Sequence, residues 1–89
     1  MDDEKLRQIE ELGALMFDYS EVALIAGVDK QSLMDDGPAK TAYMRGQLKA
    51  AADVRQSILK MAKNGSTPAQ KQLVDLMRLV DRKNKQITR

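Results

Sequence analysis

The sequence predicts an all-α protein: a helix-turn-helix head over residues 1–36, then a long antiparallel helical hairpin over residues 37–89. Three observations carry this expectation. Apolar residues recur at three- and four-residue steps, the period of a helix with one buried face. The stretch from Asp18 to Met34 holds start, corner and restart signals for two short helices. Asn64-Gly65 closes one long periodic run, and Thr67-Pro68 opens the next.

The first helix is expected over Asp3 to Phe17, with Leu6, Ile9, Leu12 or Gly13, and Met16 on its apolar face. Asp2, Asp3 and Glu4 suit its N-terminus, where the helix dipole favours negative charge. Gly13 in mid-helix costs about 1 kcal/mol relative to alanine, so it predicts a close backbone approach by a neighbouring helix.

The second helix starts at a capping box, Asp18 with Glu21 three residues on. Val22, Ala23, Ile25 and Ala26 form its apolar stripe. Gly27 supplies a positive φ at the corner, Val28 plugs it, Asp29 caps the third helix and Leu33 points that helix into the core. Ala23 is small where the two helices would cross. A small residue, glycine four later and apolar residues beyond is the pattern of a DNA-reading helix-turn-helix, and also of a plain helical corner.

Gly37-Pro38 breaks the chain and starts the fourth helix, with Gly37 as cap and Pro38 first. It runs to Lys63 or Asn64, and about 26 residues at 1.5 Å each make a rod of roughly 40 Å. Its expected apolar face is Met44, Leu48, Ala51, Val54, Ile58 and Met61, widened by Tyr43, Ala50 and Leu59, opposite Arg45, Lys49, Asp53, Gln56, Lys60 and Lys63. Gly46 and the alanines at 50–52 leave room for close helix contact. Thr67 and Gln70 frame a capping box for the fifth helix, whose seam is Ala69, Leu73, Leu76 and Val80. Val74, Met77 and Leu79 widen that seam beyond one partner helix, which predicts self-assembly through Leu73, Leu76, Met77 and Val80. Arg82–Arg89 reads as a basic tail, either a fraying end or a polyanion contact.

The net charge of +2 conceals an asymmetry. Residues 1–36 hold ten acids against three bases, a balance of −7, while residues 37–89 hold twelve bases against three acids, a balance of +9. A polyanion partner for the basic half, or head-to-tail contact between copies, follows. Asp35-Asp36 at the end of the third helix opposes phosphate approach.

No cysteine and no histidine means no disulfide, no thiolate zinc site and no imidazole base. Glu10-Glu11 and Asp35-Asp36 are helix neighbours whose side chains diverge, and no glycine-rich phosphate loop is present. The reading is therefore a non-enzyme without cofactor or metal. No apolar run reaches the roughly 20 residues a bilayer needs, and Met-Asp-Asp-Glu is no signal peptide, so a cytoplasmic protein with no membrane partner is expected.

The order of these parts resembles the small terminase subunits of tailed phages and prophages. The resemblance rests on Val22-Ala23…Gly27-Val28, on Ala42-Tyr43-Met44-Arg45-Gly46-Gln47-Leu48-Lys49, and on the turn Ala62-Lys63-Asn64-Gly65-Ser66-Thr67-Pro68-Ala69-Gln70. It implies recognition of packaging-start double-stranded DNA by the head, a homo-oligomer built by the hairpin, and contact with a large terminase motor subunit. In a bacterial host, that work is cytoplasmic. The chain is short for the family, so on this resemblance the motor-binding segment is expected to be missing or reduced to Arg82–Arg89. On this reading Lys30, Gln31 and Ser32 meet bases, while Lys40, Arg45 and Lys49 meet phosphates. The alternative is an interaction module whose helix-turn-helix is only a scaffold; a transcriptional regulator is a weaker third choice.

Overall fold

A computed structural model describes residues 1–87, which form five helices: α1 (Asp3–Ala14), α2 (Tyr19–Ala26), α3 (Lys30–Met34), α4 (Pro38–Lys63) and α5 (Thr67–Ile87). Among the described residues there is no strand. They fall into two compact units, Met1–Ala52 and one beginning at Asp53. The first reaches past Asp36, the boundary drawn from sequence, because the early turns of α4 pack on α1.

Asp2 starts α1 by accepting the Lys5 backbone N–H at 2.8 Å. The helix ends at Ala14 rather than Phe17, because the chain turns left-handed at Met16 (φ 69°). There Met16 N–H donates to the Gly13 carbonyl and Phe17 N–H to the Leu12 carbonyl, the paired closure that glycine usually makes. Met16 therefore leaves the predicted apolar face and is 66% exposed, whereas Ile9 is wholly buried.

The Asp18–Glu21 capping box forms as read: each residue's backbone N–H donates to the other's carboxylate. Gly27 takes the left-handed conformation and closes α2 onto the Ala23 carbonyl. Val22, Ala23 and Ala26 are buried, but Ile25 is not. It lies two residues from Ala23, about 200° around the helix, and so faces solvent. Asp29 occupies the cap position of α3 without a side-chain bond there. Leu33 is wholly buried and anchors α3 to the core of Ile9, Val22, Ala39, Ala42 and Tyr43.

Pro38 is the first residue of α4, and the Gly37 carbonyl accepts the Thr41 N–H. The face that α4 turns to α1 is not the one its large residues predicted. Met44, Leu48, Val54 and Met61 are exposed, while Ala39, Ala42, Tyr43 and Gly46 are buried. Backbone proximity decides this. A Cβ on Gly13 would stand 2.6 Å from the Tyr43 carbonyl oxygen, and one on Gly46 would collide with the Glu10 carbonyl oxygen. Gly13 and Gly46 let the backbones approach this closely, which side chains at those two positions would prevent.

In the second unit, Gly65 (φ 95°) closes α4: its N–H donates to the Ala62 carbonyl and that of Ser66 to the Met61 carbonyl. The cap of α5 is Ser66, one residue before the predicted Thr67, its hydroxyl accepting the Ala69 N–H. Gln70 does not complete a box; its amide donates to the Ala62 carbonyl at 3.1 Å. Ala62 and Ala69 are buried beside this turn. The basic segment expected to fray is helical through Ile87, and its last two residues, Thr88 and Arg89, lie outside the described residues.

Candidate functional site

The predicted base-contacting residues lie together on the first turn of α3, all exposed. Lys30 and Ser32 are exposed beside buried Leu33. The Gln31 amide donates to Asp35 at 2.8 Å, so one of its hydrogen-bonding groups is already engaged. Asp36 holds Lys40 at 3.2 Å, on a partner carboxylate that is 98% exposed. An exposed pair of this kind contributes little and gives way readily to water or to another anion.

Arg45 and Lys49 sit one turn apart on α4 and converge on the same carboxylate. Glu10 of α1 receives Lys49 Nζ at 2.7 Å and Arg45 Nη1 at 3.5 Å. The Lys49 hydrogen bond holds the Glu10 carboxyl below its ordinary value, opposed by partial desolvation and helped by the charges of Lys49 and Arg45. The cations proposed for phosphate are thus assembled around a carboxylate of the same unit. Sequence reading placed both on a free stripe, since nothing linear connects Glu10 with positions 35 and 39 residues away.

Polar side chains of α4 satisfy backbone carbonyls at the end of α1 and in the turn that follows it. The Tyr43 hydroxyl donates to the Phe17 carbonyl at 2.8 Å, and the Gln47 amide to the Gly13 carbonyl at 3.0 Å. Tyr43 stacks tilted on Tyr19 with ring centres 4.4 Å apart. Burial pushes its phenol above the ordinary value, with smaller contributions from Tyr19, Asp18 and Glu21. Lys5 makes a further cross-helix bond, its ammonium donating to the Ala26 carbonyl at the end of α2, 2.6 Å away. Tyr43 lay on the expected apolar face, and the signal for Gln47 was present too: positions 39, 42, 43, 46, 47 and 50 share one helical face, and each is small or hydrogen-bonding.

The predicted assembly residues Leu73, Leu76, Met77 and Val80 line one apolar groove, whose other wall is Arg55, Gln56 and Leu59 of α4. Leu73 and Leu76 are half-buried, and Met77 is 64% exposed. A second apolar strip, Met44 with Leu48 and Ala52, runs beside Arg45 and Lys49. Residues 53–89 hold nine bases against three acids, and residues 1–52 hold ten acids against six bases. The second unit is the cationic one.

Among the described residues no group of three His, Cys, Asp or Glu gathers as metal ligands, and no helix is long and apolar enough to cross a membrane. Comparison of the chain with family models, with curated proteins and with solved structures gave no match.

Proposed function

We propose that the protein is a non-catalytic DNA-binding subunit of the phage DNA-packaging type, which recognises viral double-stranded DNA in the bacterial cytoplasm, assembles with itself and engages a motor subunit. The single observation that carries this reading is the α2–α3 corner. It holds a short helix on a buried leucine with Lys30, Gln31 and Ser32 facing out, the arrangement in which a helix-turn-helix offers side chains to a major groove. The hairpin of α4 and α5 supplies assembly through its apolar groove and non-specific affinity through its excess of bases. Avidity across copies offsets the acidic head.

The test is duplex binding by fluorescence anisotropy across a salt series. Affinity should fall by about 0.9 log units per log unit of salt for each phosphate neutralised. Gln31→Ala with Ser32→Ala should narrow the gap between specific and random DNA, while Arg45→Gln with Lys49→Gln should weaken all sequences alike. A second reading, a helical interaction module with the corner as scaffold, is favoured by the Glu10 clamp on Arg45 and Lys49 and by an α3 of five residues ending at Asp35-Asp36. An assembled protein that binds no duplex near 50 mM salt, where phosphate contacts are strongest, selects this second reading.

A further inference from the structure

We infer that the groove of the second unit receives the outer face of α2 from another copy of the chain, so that copies join head to tail. The inference rests on the self-assembly part of the proposed function and gives it a definite contact.

The groove is a furrow of about 500 Å³ with apolar walls from Leu59, Leu73, Leu76, Met77 and Val80 and a cationic rim at Arg55. The first unit carries a matching ridge. Leu24 is 84% exposed and Ile25 51% exposed, neighbours on the solvent side of an eight-residue helix. Glu21, exposed and capping that helix with Asp18, precedes them by three and four residues and so lies on the same face. Leu24 and Ile25 diverge by about 100° on either side of the line through Glu21, so together they make a broad aliphatic edge that an open apolar groove can accept, the acids then meeting the basic rim.

Charge selects this pairing over the symmetric ones. Groove against groove would bring together two units that each hold nine bases and three acids, Arg55 facing Arg55. Ridge against ridge would oppose Asp18 and Glu21 with their own copies. Only ridge in groove sets the acidic surface on the basic one, and like charges juxtaposed at an interface are costly. The contact is heterologous, so each bound copy leaves one ridge and one groove open, and assembly proceeds to a closed ring or a filament.

The experiment is light scattering on the full chain at micromolar concentration, without DNA, using Leu24→Asp and Met77→Asp. Both side chains are largely exposed, and circular dichroism checks that helicity is kept; Leu24→Ser and Met77→Ser repeat the test without added charge. The parent should be oligomeric and shift toward monomer with salt. Each variant alone should be monomeric, and an equal mixture should give a one-to-one dimer, because one intact ridge and one intact groove remain. If Leu24→Asp assembles like the parent while Met77→Asp does not, or if the mixture stays monomeric, the ridge is not the occupant and this inference is overturned while self-assembly stands. A monomeric parent overturns the assembly reading and this inference together.

Discussion

Gly13 and Tyr43 meet backbone to backbone: a methyl on the glycine would stand 2.6 Å from the tyrosine's carbonyl oxygen. Three residues along α4, Gly46 is closer still to α1, against the Glu10 carbonyl oxygen and the Ala14 nitrogen. Neither obstacle is a flexible side chain that could swing aside, so the helices themselves must separate to admit a Cβ.

Gly46→Ala should therefore destabilise the first unit despite alanine's better helix propensity. Overpacking of this kind costs about 1–3 kcal/mol, against a propensity gain of about 1 kcal/mol. The loss should be greater for Gly46→Ala than for Gly13→Ala, and chemical denaturation of both variants checks the order. A stabilised Gly46→Ala would disprove the close crossing.

Met16 invites the opposite change. It holds a left-handed φ of 69° with its side chain largely in solvent, so glycine would relieve strain and forfeit little burial. The left-handed conformation costs about 1–2 kcal/mol in a side-chain-bearing residue, and glycine's added unfolded-state freedom returns about 0.5–1 kcal/mol of that. Met16→Gly should raise the thermal midpoint by a few degrees, measured against Leu15→Gly, which should lower it.

The Glu10 clamp should impart a pH dependence. Its carboxyl is held below the ordinary value near 4.5 in the folded state, chiefly by the Lys49 hydrogen bond. The unfolded chain consequently binds the proton first as pH falls. The stabilisation is complete above the unfolded value and is lost as pH drops through the folded one. The stability difference between parent and Glu10→Gln should be largest at neutral pH and shrink toward pH 3, read from urea midpoints. The same substitution frees Arg45 and Lys49, so DNA affinity should rise and its salt slope steepen.

Tyr43 gives the alkaline counterpart. Its phenol ionises above the ordinary 10.0, mainly because it is buried, so the folded state keeps a proton that the unfolded state loses first. Stability should decline as pH rises past 10, and Tyr43→Phe should flatten that decline. At neutral pH the same change should cost about 0.5–1.5 kcal/mol, the net value of the hydrogen bond to Phe17.

Sequence was most informative where signals are local. The Asp18–Glu21 box, the glycine corners at 27 and 65, and the proline start at 38 depend on residues within a few positions of one another, and the structure bears each out. Failures came where distant backbone set the terms. Hydrophobicity favoured Met44 and Leu48 as the inner face of α4, yet the face turned to α1 is Ala39, Ala42, Tyr43 and Gly46, with no room for a Cβ at position 46. Met16 fitted the helical period of α1, but the paired closure onto Leu12 and Gly13 ended the helix two residues before it. At the candidate site, the burial of Leu33 and the placement of Lys30, Gln31 and Ser32 on the first turn of α3 were legible locally. The engagement of Arg45 and Lys49 by Glu10 required knowing that α1 and α4 cross.

The α1–α4 crossing is fixed by main-chain atoms on one side and by Tyr43, Gly46 and Gln47 on the other, with little demand on which aliphatics fill the space around it. Met44 and Leu48, exposed on α4, should tolerate other side chains while the crossing persists. A diverged homologue would be recognised sooner by a glycine opposite a Tyr-x-x-Gly-Gln pentad than by overall resemblance, because those few positions act as the fold's signature and the remainder as replaceable filling.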